Sequence, residues 1–154
     1  MQPKRESCFI GFGSNLGNRK DNINKAIQYL RKNKKIKIKK ISSIIETRPQ
    51  GILTQPKFLN GVLKLETTLS PQLLLKILNK IEKKIGRVRR ARFGPRIIDM
   101  DILLYGGQKV HDKNLKIPHP RMWKRRFVTI PLKEIAPEVF KLKHRSNEAT
   151  TYGA

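Results

Sequence analysis

Apolar and polar residues alternate with a two-residue period in four separate segments, as they do in strands with one buried face. In the first segment the alternating positions include Gly11 and Gly13, and glycines in a strand let another group approach the backbone closely. In the second segment the alternation loses its phase near Lys39 and Lys40, which predicts a β-bulge. The predicted strands span residues 8–13, 36–47, 58–67 and 97–104.

Two other segments have apolar residues at helical spacing and predict two long helices. The first helix covers residues 20–32. The second begins with Ser70 as its N-cap and Pro71 at the first helical position, and it ends at Gly86. Segments that contain glycine, proline and basic residues predict loops at residues 48–57 and 87–96.

The resulting order, β-α-β-β-α-β, is the split βαβ arrangement of a ferredoxin-like α+β sandwich. Such a fold has an antiparallel sheet with the helices on one face, so we expect the other face to be open and to carry the active site. A length of 154 residues fits one domain. We therefore expect a single domain over residues 1–154, with a loose polar tail from about residue 141.

The chain carries 35 Lys and Arg residues against 11 Asp and Glu residues, a formal charge of +24. Such a field favours anionic partners, although a solvated lysine-rich surface explains the lysines equally well. The single cysteine, Cys8, lies in an apolar stretch, which excludes a disulfide framework and predicts a small core residue. Neither a signal peptide nor a membrane-spanning segment is visible, so we expect a cytoplasmic protein.

Two acidic residues interrupt the last predicted strand, in the stretch GPRIIDMDILLYG. Because side chains at positions i and i+2 share one face of a strand, Asp99 and Asp101 point the same way, roughly 7 Å apart. Ile98, Met100 and Ile102 then point towards the helix-covered face. Two carboxylates at this spacing can hold one or two Mg²⁺ ions, which prefer carboxylate, water and phosphate oxygens.

A lone Asp-x-Asp pair more often has a structural role, in which one Asp caps a turn and the other pairs with an arginine. Here acids are rare, they lie within the strand, and the arginine-rich segment RVRRARFGPR directly precedes them. Arginine forks suit phosphate oxygens, and arginine together with a metal meets the needs of phosphoryl transfer. The pair therefore predicts a metal-dependent phosphoryl-transfer site.

The segment RFGPRxxDxD, residues 92–101, resembles the signature of the 6-hydroxymethyl-7,8-dihydropterin pyrophosphokinase family of folate biosynthesis. The resemblance extends over about residues 8–138 and includes FIGFGSNLGN, ETRPQGILTQPKFLN, IEKKIGRVR, and IPHPRM followed by PLKEIAPE. The family has the same ferredoxin-like topology. The chain departs from the family pattern at Phe93, where a tryptophan is common, at Asn79, where a glutamine is common, and in a shorter loop after Arg87.

The resemblance implies transfer of a pyrophosphoryl group from ATP to the hydroxymethyl group of the pterin, with release of AMP. It implies that Asp99 and Asp101 hold two Mg²⁺ ions between ATP and the pterin hydroxyl, and that Arg87 and Arg96 contribute to catalysis. The expected partners are the two small-molecule substrates alone, with no nucleic acid, no membrane and a monomeric protein.

The resemblance also implies two sets of binding residues. Taken alone, Phe58 and Phe127 are better explained as core residues, and His119 equally well as a turn histidine bonded to the backbone. The implied pterin site comprises Thr47, Arg48, Pro49, Gln50, Phe58, Asn60, Phe93 and Phe127. The implied ATP site comprises Asn79, Glu82, Arg87, Arg89, Arg92, Arg96, Ile102, His119 and Arg125.

Two other classes of function fit part of the pattern. A basic domain of this element order can be an RNA-recognition module, but the third strand, FLNGVLKLE, lacks the basic-glycine-aromatic motif, and the acid pair would repel RNA phosphates. A two-metal nucleotidyl transferase or cyclase would share the acid pair but gives no role to Phe58, Asn60 or the loop after Thr47. Cleavage of ATP to AMP with a pterin acceptor distinguishes the three.

Overall fold

The computed structural model describes residues 4–48, 56–86 and 96–141, so all but the first residue of the predicted loose tail lies outside them. The strands are β1 (Glu6–Ser14), β2 (Ile36–Ile41), β3 (Ile45–Thr47), β4 (Phe58–Thr67), β5 (Asp99–Tyr105), β6 (Val110–His111) and β7 (Lys116–Ile117). The helices are α1 (Arg19–Lys32), α2 (Pro71–Ile85) and α3 (Arg126–Ile135), and a 3-10 turn covers Met122–Lys124.

The main sheet is antiparallel and has the strand order β2–β4–β1–β5, with β3 also paired to β4. The central strands β1 and β4 pair along their whole length, from Glu6 with Thr67 to Ser14 with Leu59. β6 and β7 form a separate two-stranded sheet. The prediction of helices combined with an antiparallel sheet is therefore confirmed.

Both predicted helices form, and α1 begins one residue earlier than predicted. The side chain of Asn18 caps α1 by accepting a hydrogen bond from the Asp21 N–H (3.1 Å). Ser70 caps α2 in the same way, through the Leu73 N–H (3.2 Å). Gly86 ends α2 with a φ of 117°, a left-handed conformation that favours glycine. Ser70 and Gly86 thus fix both ends of α2 as the sequence predicts, and Asn18 fixes the start of α1.

The second predicted strand is in fact two strands, β2 and β3, with the predicted bulge in β2. The interruption lies at Ser42 and Ser43. Ser42 Oγ accepts a hydrogen bond from the Val62 N–H (2.9 Å), and both the N–H and the hydroxyl of Ser43 donate to the Glu134 carboxylate of α3. The Ser42 N–H still donates to the Val62 carbonyl, but the Val62 N–H goes to a hydroxyl and the Ser43 N–H goes to α3, so regular pairing is interrupted here and the sheet is connected to α3.

The last predicted strand begins at Asp99, two residues later than predicted. Before it, the backbone of Arg96 pairs with Asn15 (3.0 Å), and Ile98 is completely buried as a core side chain. The apolar residues that resemble the start of a strand therefore serve packing rather than pairing. Asp99 is thus the first residue of β5 and not its middle.

The larger hydrophobic core lies between α1, α2 and one face of the sheet. Cys8, Ile10 and Phe12 of β1 enter it alternately. Cys8 is completely buried, which confirms the prediction of a core residue, and burial together with the Glu6 charge raises the pKa of its thiol to about 12. Other strands and the helices contribute Ile23, Leu30, Leu63, Leu65, Leu74, Leu78, Ile98, Met100 and Ile102.

A second hydrophobic core lies on the opposite face of the sheet, which the sequence predicted to be open. There α3 packs across β4 and buries Val128, Leu132 and Ile135, which lie at helical spacing. The expectation that helices cover only one face is therefore wrong. The helix escapes prediction because Pro131 lies inside it, at a position where proline disfavours a helix.

Gly61 lies opposite Phe12 in the β1–β4 ladder, and a Cβ at this glycine would overlap the Phe12 ring. We expect Gly61→Ala to lower the free energy of unfolding by about 1–3 kcal/mol, because the ring or the strand must move. Gly107→Ala is the matched control, since no atom lies within 4 Å of its Cβ position. Urea unfolding compares the two variants, and equal stability would contradict this packing.

Candidate active site

On the second face, three neighbouring strands change from apolar to small or polar residues in the same direction. The series are Phe9, Gly11 and Gly13 on β1; Val62 and Asn60 on β4; and Leu103, Asp101 and Asp99 on β5. The register places Asp99 opposite Gly13, and Gly13 opposite Asn60, in one row across the sheet. α3 covers the apolar end, and the other end forms a recess between carboxylates and an amide.

A cavity of about 330 Å³ occupies this recess. Its walls combine carboxylates, cationic groups and aromatic rings from distant parts of the chain. The predicted site residues that line it are Thr47, Arg48, Phe58, Asn60, Arg96, Asp99, Asp101, His119, Arg125 and Phe127. The structure therefore brings predicted pterin-binding, ATP-binding and metal-binding residues together around one space.

The acid pair lies at the accessible end of β5. Asp101 is exposed, and the Asp99 side chain is 31% exposed, with its Oδ2 3.4 Å from Arg96 Nε. On the adjacent strand, Gly13 and Gly11 are the ladder partners of the two acids. Because glycine has no side chain, β1 leaves space beside both carboxylates. The neighbours of the acids on β5 point into the larger core, as predicted.

This donor set fits Mg²⁺ that is shared with a phosphate ligand. Within residues 4–48, 56–86 and 96–141, no group of three or more His, Cys, Asp or Glu side chains could hold a metal ion. Mg²⁺ commonly takes one or two carboxylates and completes its octahedron with water and phosphate oxygens. Asp99 and Asp101 supply carboxylates of this kind, and the remaining ligands would come from a bound substrate and water.

Phe58, Asn60 and Thr47 line the cavity on the β3–β4 side. Asn60 is buried, and its Nδ2 donates to Thr47 Oγ1 (2.6 Å), which fixes the orientation of the amide. Gly13 is required beside it, because a Cβ at that position would lie 2.6 Å from Asn60 Oδ1. An oriented amide next to an aromatic ring suits a flat heterocycle with hydrogen-bonding groups on its edge.

The positive charge of the cavity comes from four arginines, Arg48, Arg96, Arg121 and Arg125. The Arg125 guanidinium lies 5.4 Å from the centre of the Phe127 ring, within cation–π distance. Burial lowers the pKa of Arg125, whereas the Asp101 carboxylate acts in the opposite direction. Cations placed around two carboxylates are suited to a polyanion that arrives with a divalent metal.

His119 connects β5 to this group of arginines. Its N–H donates to the Leu103 carbonyl (2.9 Å), and its Nδ1 accepts from the Arg121 N–H (3.2 Å). In the neutral ring the proton therefore lies on Nε2, which can donate to a ligand. Burial lowers the pKa of His119, and the charges of Arg125 and Arg121 lower it further. His119 is thus a turn histidine bonded to the backbone and also a residue that lines the cavity.

A second cavity, of about 260 Å³, adjoins the first. Asp101 and His119 line both cavities and mark the junction between them. Ile102, a predicted ATP-binding residue, lies in this second cavity. Its other lining residues are Leu75, Lys113, Asn114, Leu115, Lys116 and Pro120. Apolar side chains beside lysines are suited to a base that carries phosphates.

Two predicted ATP-binding residues of α2 line neither of these cavities. Asn79 is exposed on the helix surface. Glu82 is only 3% exposed, and its Oε2 accepts a hydrogen bond from the Met100 N–H (3.0 Å). Met100 lies between the two acids of β5, so Glu82 supports the strand that carries them.

Arg121 is a lining residue that sequence reasoning misses, because nothing in the basic segment around it separates it from its neighbours. The role of Gly11 and Gly13, by contrast, is signalled by their alternation with bulky residues. The predicted site residues that lie outside the described parts of the chain are Pro49, Gln50, Arg87, Arg89, Arg92 and Phe93.

Comparison with known sequences gives one consistent family. The family described as 7,8-dihydro-6-hydroxymethylpterin-pyrophosphokinase (HPPK) matches residues 9–137. The 2-amino-4-hydroxy-6-hydroxymethyldihydropteridine pyrophosphokinase of Bacillus subtilis is 41% identical over 87% of this chain and 80% of its own length. The enzyme of the same name from Aquifex aeolicus is 47% identical over 86% of this chain and 82% of its own length.

Some relatives are larger proteins. A mitochondrial folate synthesis bifunctional protein of Pisum sativum is 42% identical over 88% of this chain, which corresponds to 26% of that protein. Among solved structures, one described as HPPK-DHPS in complex with substrates has a TM-score of 0.61 at 17% identity, over 88% of this chain and 41% of that chain. At this identity the structural likeness shows a shared fold.

The lowered pKa of His119 has a consequence for stability. The unfolded chain binds a proton at this histidine near pH 6.5 and the folded protein only at lower pH, so acidification favours unfolding. We expect the loss of unfolding free energy between about pH 7.5 and 5.5 to be smaller in His119→Gln than in the wild type. His111→Gln, at an exposed position, is the control for the loss of a histidine as such. Identical pH profiles for all three proteins would contradict this assignment.

Proposed function

Because the chain belongs to the 7,8-dihydro-6-hydroxymethylpterin-pyrophosphokinase family of folate biosynthesis, we propose that it transfers the β,γ-pyrophosphoryl group of ATP to 6-hydroxymethyl-7,8-dihydropterin. The acceptor is the hydroxymethyl oxygen, and the products are the pterin diphosphate and AMP. The identities of 41% and 47% to pyrophosphokinases over most of their length support this reaction.

The observation that carries the proposal is the junction between the two cavities. Asp101 and His119 line both, so substrates bound in the two cavities would meet beside one carboxylate and one imidazole. The pterin would occupy the larger cavity, and ATP the cavity with Ile102 and the two lysines. A reaction that joins two bound molecules requires such a shared boundary.

The pterin would bind between Phe58 and Phe127, with its edge on Asn60. Both rings line the larger cavity, and the bond from Asn60 to Thr47 orients the amide before the substrate binds. Arg48 lines the same cavity. Pro49, Gln50 and Phe93 belong to this set by resemblance to the family.

Asp99 and Asp101 would hold two Mg²⁺ ions. When bound, Mg²⁺ neutralises phosphate charge and lowers the pKa of an attacking hydroxyl, so a dedicated strong base is not required. Gly11 and Gly13, opposite the two acids, line the same cavity, so β1 places no side chain between the carboxylates and a ligand. Arg96 lies beside Asp99 and can contact the same phosphates.

The other polar residues would orient the triphosphate. His119 Nε2 and the guanidinium of Arg125 can donate to phosphate oxygens, and Arg87, Arg89 and Arg92 join them by resemblance to the family. Asn79 and Glu82 remain proposed members of the ATP site, with Glu82 acting through β5.

In the reaction the hydroxymethyl oxygen bonds to the β-phosphorus and its proton leaves to solvent. The bond between the β-phosphorus and the oxygen bridging to the α-phosphate breaks, and AMP departs.

We further propose that the chain is one ferredoxin-like domain that acts as a cytoplasmic monomer. The strand order β2–β4–β1–β5 and the helix-covered first face support the ferredoxin-like topology, to which α3 is an addition. The buried free thiol of Cys8 fits a reducing compartment. None of the helices in the described residues has the length and apolar character of a membrane span.

An RNA-recognition function fits the structure poorly. RNA-recognition modules of this topology stack bases on exposed aromatic residues of the central strands. Here α3 covers Phe9 and Val62 on that face, and Asp99 and Asp101 line the cavity beside them.

The reaction is tested directly by mixing the protein with Mg²⁺, ATP and 6-hydroxymethyl-7,8-dihydropterin and separating the nucleotides. We expect AMP to form in proportion to the pterin consumed, and omission of the pterin or addition of EDTA to stop it. Formation of ADP, or of AMP without dependence on the pterin, would contradict the proposed transfer.

The metal role of the acid pair is tested by Asp99→Ala and Asp101→Ala. Each should lower kcat by at least about 10²-fold, since charge on the phosphates is then left unbalanced. Asp21→Ala, which removes an exposed carboxylate of α1 paired with Lys25, should keep wild-type turnover. Circular dichroism checks that the fold is intact, and a fully active acid-pair variant would contradict the metal assignment.

The pterin assignment is tested by Phe58→Leu. Loss of stacking of about 1.4 kcal/mol should raise the KM for the pterin by roughly 10-fold and leave the KM for ATP unchanged. Phe140→Leu is the control, because Phe140 packs edge-on against Trp123 and does not line the cavity. An equal rise in both KM values would place Phe58 outside the pterin site.

A further inference from the structure

Asn15, directly after β1, is completely buried and connects to two other segments of the chain. Its N–H donates to the Arg96 carbonyl (3.0 Å), and its Oδ1 accepts from the Arg96 N–H (2.6 Å). Its Nδ2 donates to the Pro56 carbonyl (3.1 Å). A side-chain amide can serve both segments because it carries an acceptor and a donor in fixed relative positions.

Both partners of Asn15 lead directly to the walls of the larger cavity. Arg96 lines the cavity and lies 3.4 Å from the Asp99 carboxylate. Pro56 is two residues before Phe58, the first residue of the strand that also carries Asn60. Asn15 itself is not a lining residue of either cavity, so its influence on a ligand there must act through Arg96 and Pro56.

We propose that Asn15 is a positioning residue. It fixes the position of the phosphate-binding side of the site relative to the pterin-binding side. The first side is held at Arg96, next to the acid pair, and the second at Pro56, next to Phe58. This inference rests on the function proposed above. It matters for the reaction because the attacking oxygen and the phosphorus must come within about 3–3.5 Å, and a misplacement of about 1 Å can cost 10²-fold in rate.

Asn22, in the first turn of α1, provides a comparison. Its Nδ2 donates to Ser14 Oγ (3.3 Å) and to the Leu16 carbonyl (2.8 Å), so these bonds stay within the connection between β1 and α1. A variant of Asn22 therefore loosens that connection and leaves the bonds to Arg96 and Pro56 in place. Comparison of this variant with the Asn15 variants distinguishes a general loss of stability from a loss of positioning of Arg96 and Pro56.

Two variants of Asn15 separate its bonds. Asn15→Leu has a similar size and removes the side-chain bonds to Arg96 and Pro56, whereas Asn15→Asp, when ionised, keeps the acceptor for the Arg96 N–H and loses the donor to Pro56. We expect Asn15→Leu to lower kcat by about 10-fold to 100-fold and to raise the KM for the pterin. Asn15→Asp should retain most of kcat and raise only the KM for the pterin. Asn22→Ala should lower the midpoint of thermal unfolding without changing kcat.

Hydrogen exchange at the Arg96 amide gives a readout that is independent of activity. Protection at this amide should fall in Asn15→Leu and persist in Asn15→Asp and Asn22→Ala. Undiminished protection in Asn15→Leu would overturn the proposal. So would a loss of kcat in Asn22→Ala as large as that in Asn15→Leu, because the effect would then be one of stability.

The same experiment distinguishes failure of this inference from failure of the proposed function. Wild-type protein that forms no AMP contradicts the proposed function, and the exchange measurement still decides whether Asn15 holds Arg96. Wild-type protein that forms AMP, together with an Asn15→Leu variant of undiminished kcat and pterin KM, contradicts the positioning role alone.

Discussion

The site depends on the side-chain alternation of one central strand, β1. One face of this strand carries Cys8, Ile10 and Phe12 into the larger core, whereas the other changes from Phe9 to Gly11 and Gly13. β1 lies between β4 and β5. Those two glycines therefore leave part of the central strand without side chains on this face of the sheet. The acids of β5 and the amide of β4 lie on either side of those glycines on the same face of the sheet, and all of them line the cavity.

The second face of the sheet is divided between packing and chemistry. α3 closes the end where Phe9, Val62 and Leu103 are apolar, and its N-terminal region brings Phe127 to the cavity. The same helix is tied to the sheet by Glu134 through Ser43. Burial of the apolar face of α3 therefore also positions the aromatic side chain at its N-terminal end. The same helix contributes to stability and to the site.

The electrostatics of the site follow from the mixture of charges that line the cavity. The chain has a formal charge of +24, yet the cavity is lined by two carboxylates among its arginines. Desolvation and the neighbouring Arg125 and Arg121 charges lower the pKa of His119, which favours a neutral donor over a third cation. Glu82, beneath β5, holds the backbone between the two acids. A site built in this way is suited to a substrate that brings both negative charge and its own metal.

The sequence by itself determined the order of the main elements, the caps at Ser70 and Gly86, the shared face of Asp99 and Asp101, and the family. These features depend on residues that are neighbours along the chain, where periodicity and capping act directly. Only the tertiary structure decided the rest: that α3 covers the second face despite Pro131, that Ser42 and Ser43 break a strand, and that Asn15 ties Arg96 to Pro56. Those features depend on contacts between residues far apart in the chain, and no local pattern records such contacts.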